Sequence, residues 1–242
     1  MYRGWSPESH WKSINVNKIR DMFNQISPSY DRINRILSLG RDLGWRKKVA
    51  RHLPLRPHLQ LLDLATGTGD QLKVFFQSAS SIHKAYGLDI AEEMLALGRK
   101  KMEGYPAELL IGDAQNIPFD SNRFDAVTIS FGIRNVEDPM LALKEMHRVL
   151  KHRGRCLILE FSMPPKWIKP VYLLYLRHIL PRLGSWLSKN QAAYRYLNET
   201  IETFPSGKSF LALMQSAGFA ELKRYPMNGG SVTLYTGDKL DV

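Results

Sequence analysis

The sequence predicts an α/β fold: a Rossmann-like, seven-stranded, mostly parallel sheet that ends in an antiparallel hairpin and is preceded by a helical preface. Three observations carry this. Apolar runs bounded by turn residues alternate with helix-patterned segments from Leu59 to Phe161, the rhythm of parallel strands joined by helices. A glycine turn, Asp63-Leu-Ala-Thr-Gly-Thr-Gly-Asp70, directly follows the first apolar run. Near the end, two strand-like stretches flank Asn228-Gly229-Gly230, a hairpin signal.

In the preface, Ile19, Met22, Phe23 and Ile26 fall at helical spacing between Asn17 and Ser27, and Pro28 ends that helix. A second helix runs from Tyr30 to Leu39 before Gly40, and a third from Asp42 to Leu53 before Pro54. Leu59 to Leu62 opens the sheet, and Asp70 to Phe76 is the helix after the glycine turn. Ala85 to Leu88 is a short second strand, followed by a helix from Ala91 to Met102. Glu108 to Ile111 and Phe124 to Ser130 are the third and fourth strands. Met140 to Leu150 forms a helix closed by Gly154, and Arg155 to Phe161 is the fifth strand. The apolar stretch Ile168 to Leu187 is broken by Pro170, Arg177, His178, Pro181 and Arg182, so it is no membrane span. A lid, an interfacial helix and plain packing all stay open for it. Phe210 to Ala217 is the last helix, and Ala220–Met227 and Ser231–Thr236 make the hairpin.

At 242 residues, 44% hydrophobic and 24% charged, the chain suits one domain over 1–242, with a helical cap at 16–53 and a lid or insertion at 163–205. The net charge of +11 suits an anionic surface, a nucleic acid or an anionic ligand. Arg32, Arg35, Arg41, Arg46, Lys47, Lys48 and Arg51 place much of it in the preface. The single cysteine, Cys156, excludes an internal disulfide and reads as a buried hydrophobe. The first residues lack the apolar core of a signal peptide, and no His/Cys grouping has metal spacing.

The glycine turn identifies a ligand site. Gly67 and Gly69 let the backbone turn sharply and a ligand lie against it, but Leu72 stands where a dinucleotide fingerprint needs its third glycine. Asp63 is a poor neighbour for a pyrophosphate and a good one for a cation. S-adenosylmethionine, with an ammonium, a sulfonium and a ribose diol, fits better than NAD. Asp89, twenty residues beyond Gly69, is placed for the ribose hydroxyls, with helix capping as the bland alternative. Asp113 and the N–H of Ala114 are placed for the adenine edge.

Several motifs resemble the UbiE/MenG quinone C-methyltransferases. They are Tyr30-Asp31-x-x-Asn34-x-x-x-Ser38-x-Gly40 with Trp45-Arg46, Phe131-Gly-Ile-Arg-Asn135, Arg148-Val-Leu-Lys151, Leu159-Glu-Phe-Ser162 and Tyr194-x-Tyr196-Leu-x-Glu199-Thr-Ile201. The chain departs from the pattern at Ile33 (usually methionine), Asp42 (usually histidine) and Lys151-His-Arg-Gly154 (usually Lys-Pro-Gly-Gly). The resemblance implies a class I S-adenosylmethionine-dependent methyltransferase, with cofactor contacts at Thr68, Asp89, Asp113, Ala114 and Ser130. It implies transfer of a methyl group to a ring carbon of a polyprenyl quinol, demethylmenaquinol before a benzoquinol.

Such a carbon becomes nucleophilic when a neighbouring hydroxyl, with a pKa near 10, loses its proton. A fixed guanidinium favours the phenolate, which singles out Arg134 with Asn135 beside it, and Tyr30 with Asp31 as pocket closers. The bland alternative is that Arg134 pairs with Glu137 or Asp138 and Tyr30 is core. The partners implied are the quinol and the inner face of a membrane, met peripherally from the cytoplasm, with no nucleic acid; a homodimer stays open. An enzyme acting on RNA or a soluble molecule, and a non-catalytic cofactor-binding subunit, are the competing readings.

Overall fold

The computed structural model describes residues 15–79, 81–180, 182 and 191–241. The N-terminal stretch before Asn15, and Pro181 with residues 183–187 of the interrupted apolar segment, lie outside the described residues.

The strands are β1 (Leu59–Leu64), β2 (Ile82–Asp89), β3 (Ala107–Ile111), β4 (Phe124–Ser130), β5 (Leu150–Phe161), β6 (Ala220–Met227) and β7 (Val232–Asp238). They form one sheet in the order β3-β2-β1-β4-β5-β7-β6. All pairings are parallel up to β5, and β7 is antiparallel to both β5 and β6. The order reverses between β1 and β4, so the loops that leave their carboxyl ends open onto one crevice. Central β4 is apolar enough to be buried through to Ile129, as a strand covered on both faces must be. Edge strand β6 instead carries Lys223, Arg224 and Pro226 on a half-exposed pattern, which blunts the edge.

The helices are α1 (Val16–Ile26), α2 (Tyr30–Leu37), α3 (Arg41–Ala50), α4 (Asp70–Ser78), α5 (Glu92–Lys101), α6 (Pro139–Val149), α7 (Lys169–Leu174), α8 (Gln191–Thr203) and α9 (Lys208–Ser216). Leu143, Met146, Phe210 and Met214 from α6 and α9 pack with Val127, Ile158 and Tyr235. On the other face Val49, Leu72, Phe75 and Leu95 from α3, α4 and α5 pack with Leu61, Ala126 and Leu157. A third, smaller core joins Ile26 and Ile33 to Leu176, Leu180 and Ile201. The preface therefore divides. Its first two helices pack with α7 and α8 as a cap, while α3 buries Trp45, Val49 and Ala50 in the sheet's own packing.

The first helix ends before Pro28 as expected, and Pro28 sits in a 3-10 turn, Ser27–Ser29, that leads straight into α2, where a first-turn proline costs no hydrogen bond. Three other features differ from expectation, each for a local reason. Strand β2 begins at Ile82, because its polar residues His83 and Lys84 are half-exposed or exposed and hide the strand pattern. Helix α7 passes into a π-helical turn over Tyr175–Ile179. Finally, Gly154 does not close α6. Strand β5 starts at Leu150, opposite Phe124, and resumes pairing at Arg155 opposite Ala126, so residues 151–154 bulge out. A Cβ on Gly154 would stand 2.8 Å from the Lys151 carbonyl oxygen.

Arg153, where the family pattern has glycine, takes a φ of 58° in that bulge. A left-handed non-glycine residue costs about 1–2 kcal/mol, and the Arg153–Asp241 ion pair is exposed and returns little. Arg153→Gly is expected to raise the unfolding free energy by up to about 1 kcal/mol, since glycine also gains unfolded-state entropy. Urea denaturation with unchanged slope measures this, and a loss of stability would contradict it.

Candidate active site

Where β1 ends, the chain turns over Gly67, whose φ of 55° suits glycine, and Gly67 N donates to Asp89 Oδ2 at 2.7 Å. Asp89 Oδ1 accepts from Ala91 N at 2.9 Å, which ties the turn ahead of α5 to the same carboxylate without capping the helix. Burial raises the Asp89 carboxyl even though those two N–H groups pull it down. Above this turn lies a cavity of about 690 Å³ lined by Gly67, Asp89, Asp113, Ala114 and Ser130. Asp113 accepts from Gln115 N at 2.9 Å, which fixes the loop after β3. Ser130 Oγ donates to Gln71 Oε1 at 3.0 Å, and Gln71 Nε2 donates to the Arg46 carbonyl at 3.3 Å.

Three residues expected at the cofactor, Asp63, Thr68 and Gly69, are not among those that line this cavity. Asp63 is buried in the sheet, accepting from Thr128 Oγ1 at 2.5 Å and Thr66 Oγ1 at 2.8 Å. Gly69 precedes α4 and faces Met102. Thr68 turns to the cap: its hydroxyl donates to Asp31 Oδ1 at 2.6 Å and accepts from Lys101 Nζ at 3.1 Å. Lys101 also reaches Asp31 Oδ2 at 2.7 Å and Asp70 Oδ1 at 2.5 Å, while Arg35 bridges Asp70 Oδ2 at 2.7 Å and Asp42. Burial raises Asp70, but Lys101, Arg46 and Arg35 outweigh it and hold the carboxyl below its ordinary value. This charge cluster pins α2 over the glycine turn.

A second, larger cavity of about 1720 Å³, open mouth included, lies between the cap and the loop after β4. Arg134 and Asn135 line it, with Tyr172, Tyr175 and Tyr196 opposite. Arg134 pairs with neither Glu137 nor Asp138. Its Nη1 donates to Glu160 Oε1 at 2.5 Å and to the Phe131 carbonyl at 2.8 Å, because β5 delivers Glu160 beside it at the sheet end. Burial raises the Glu160 carboxyl against the pull of Arg134. Asn135 Oδ1 accepts from the Tyr196 hydroxyl at 3.2 Å. Burial pushes the Tyr196 phenol up to about 12 and raises Tyr172 too, so both stay protonated donors near neutrality.

Phe23, Tyr30, Phe131 and Asn135 line both cavities, so the two chambers meet at these side chains. Tyr30 is thus a boundary residue rather than core. Arg46, one of the preface's run of basic residues, is buried and lines the larger chamber. Its signal was present: Trp45 and Val49 place the inner face of α3 beside it.

The family model of the ubiE/COQ5 methyltransferase family matches residues 11–239. A ubiquinone/menaquinone biosynthesis C-methyltransferase UbiE of Geotalea uraniireducens is 41% identical over 228 residues, spanning 92% of this chain and 96% of the relative. A demethylmenaquinone methyltransferase of Thermus thermophilus is 42% identical over 222 residues, spanning 90% of this chain and all 100% of the relative. Among solved structures, an S-adenosylmethionine-dependent methyltransferase of Thermotoga maritima, described as a possible histamine N-methyltransferase, superposes with a TM-score of 0.65. It is 20% identical and spans 90% of this chain and 99% of its own, which speaks to the fold alone.

Burial, against the hydrogen bonds of Thr128 and Thr66, lifts Asp63 from 3.8 to about 6. The folded chain thus keeps this proton longer than the unfolded chain. The stability it contributes is full below pH 3.8 and lost as pH rises through about 6, in total roughly 3 kcal/mol. Asp63→Asn removes that dependence. Its stability relative to the parent is expected to climb between about pH 4 and 7 in urea titrations; parallel curves would show that Asp63 does not titrate there.

Proposed function

The chain belongs to the ubiE/COQ5 methyltransferase family, and from that premise we propose that it methylates a ring carbon of a polyprenylated, demethylated quinol, demethylmenaquinol first among them. Its cofactor is S-adenosylmethionine. The observation that carries the acceptor reading is the pair of chambers meeting at Tyr30, Phe131 and Asn135, one edged with carboxylates and the other with aromatic and aliphatic side chains.

The smaller chamber fits the cofactor. Asp89 offers acceptors to a ribose diol, Asp113 and the Ala114 N–H face an adenine edge, and the Gly67 turn leaves room for the chain between them. Carboxylates there would repel a pyrophosphate. When bound, S-adenosylmethionine supplies a methyl group without its bonding electrons, and the acceptor carbon provides the electron pair and finally gives up one proton. The chain's part is to hold the two reactants in line and exclude water. Asn135, steadied by Tyr196, is placed to orient the ring or an ordered water, and Tyr30 closes the boundary. Arg134 enters as an ion pair with Glu160, a fixed dipole at the chamber wall. Incubation of the purified protein with cofactor and demethylmenaquinol is expected to give the methylated quinol by mass spectrometry. Absence of product from protein that binds S-adenosylhomocysteine would reject this acceptor.

Among the described residues no helix is long and apolar enough to cross a membrane, yet a prenyl tail resists leaving one at about 0.8 kcal/mol per CH₂. The enzyme therefore works peripherally on the inner membrane face. Leu39, 83% exposed, sits at the mouth of the larger chamber. Trp167, Val171 and Leu174, 79%, 70% and 57% exposed, lie along the segment that contributes Tyr172 and Tyr175 to the chamber. Exposed Arg41, Lys166 and Lys169 accompany them and suit anionic headgroups. Sedimentation with phosphatidylglycerol vesicles and not with phosphatidylcholine vesicles is expected, and Leu39→Asp with Trp167→Asp should weaken it about tenfold. Equal binding of the double variant would place the contact elsewhere.

A further inference from the structure

Helix α3 sends Trp45 and Arg46 toward the same aromatic ring. Trp45 meets Phe131 at 6.0 Å between ring centroids, and the Arg46 guanidinium lies 5.6 Å over that ring. Arg46 is 7% exposed and its Nε has no hydrogen-bond partner. Among the described residues no carboxylate oxygen lies within 4.0 Å of its guanidinium. Asp70 and Asp63 feel its charge without touching it, and one cation–π contact does not repay the burial of a guanidinium that has no carboxylate in contact. A chamber that keeps such a charge is built for an occupant that compensates it.

Arg134 does not fill that role, because Glu160 already neutralises it and the Phe131 carbonyl takes the same Nη1. Tyr30 provides an internal gauge, since it is itself a phenol at the boundary of the two chambers. Burial raises its pKa most. Of the cations that pull it down, Arg46 acts more strongly than Arg134. The position of Arg46 is also tied to the cofactor side: its carbonyl accepts from Gln71, which accepts from Ser130 at the edge of the smaller chamber.

We propose that Arg46 touches the acceptor's ring oxygen and holds it as the phenolate while the neighbouring carbon is methylated, making it a catalytic residue alongside the Arg134–Glu160 pair. The inference rests on the quinol reading given above. The hydroxyl proton passes to water in the chamber, and the negative oxygen gives Arg46 the direct ionic contact it does not have among the described residues. The charged and titratable groups it acts on or shares the chamber with are Tyr30 on α2, Asp42 on its own helix, Asp70 on α4, Asp63 behind the turn and Arg134, itself paired with Glu160. Tyr172 and Tyr196 stand across the chamber. Burial raises Asp63, Asp89, Glu160, Tyr30 and Tyr196 alike, so the acceptor's limb is recognised by its response to the charge at position 46 and not by its position on the pH axis.

The test is kcat against pH, with both substrates saturating, for the parent, Arg46→Gln and Arg46→Lys. In Arg46→Gln the acid limb is expected to move up by about one unit or more, as loss of a nearby cation requires. At neutral pH kcat should fall about 100-fold, with S-adenosylhomocysteine affinity kept within about threefold by calorimetry. Arg46→Lys should recover part of the shift. Near-parental kcat in Arg46→Gln, or a lost kcat with an unmoved limb, would overturn the role. Should Arg46→Gln not fold, 1-naphthol bound to the parent protein decides: it should ionise at lower pH than free 1-naphthol, and ionisation at or above the free value rejects the proposal. A parent enzyme that fails to methylate the quinol defeats the acceptor reading itself, whereas turnover untouched by Arg46→Gln defeats only this inference.

Discussion

The cluster of Lys101 with Asp31, Asp70, Thr68 and Arg35 is the interaction on which the site depends. The cap's own apolar core is small: Ile26, Ile33, Leu176, Leu180 and Ile201 are its buried members. By itself that core fixes α2 to α7 and α8 but says nothing about where the cap sits on the sheet. The half-buried ion pairs do, since each needs its partner within a few tenths of an ångström and its charges are shielded from water. They hold Tyr30, one residue before Asp31, over the gap between the carboxylate-edged chamber and the greasy one. A hydrophobic seal at the same place would tolerate sliding. The charged one does not.

The two arginines of the larger chamber show how context divides identical side chains. Arg134 arrives after β4, meets Glu160 from β5 and becomes half of a neutral pair. Arg46 arrives from α3 and lies over an aromatic face, with no carboxylate in contact among the described residues. Their sequence surroundings do not distinguish them, because the difference lies in what the neighbouring strand delivers.

That contrast also explains how far the sequence could be read. Strand β4 is legible end to end because Phe124, Ala126, Val127 and Ile129 keep it apolar even though Asp125 and Thr128 interrupt the run. Strand β2 was shortened because His83 and Lys84 broke the pattern, and the bulge at 151–154 looked like a helix stop because glycine serves both. Gly67, Asp89, Asp113 and Ala114, which a turn, a strand end and a spacing single out in the sequence, line one chamber together. Ser130 came from family likeness, and it too edges the smaller chamber. Thr68 was in the right loop, but its hydroxyl is committed to a residue 37 positions away, and Lys101 meets Asp31 across 70. No local pattern encodes a partner at that distance. Arg46 was hidden among neighbouring cations for the same reason.

Gln71 carries a consequence of its own. Its amide stands between a carbonyl that can only accept and a serine hydroxyl, so its nitrogen must face Arg46 and its oxygen Ser130. A glutamate there would set oxygen against oxygen, and an aliphatic residue would strand both neighbours in a region where Gln71 is 1% exposed. Any mutational drift or redesign at position 71 is thus confined to side chains that donate at one end and accept at the other. Glutamine is the natural amino acid that does both at that reach.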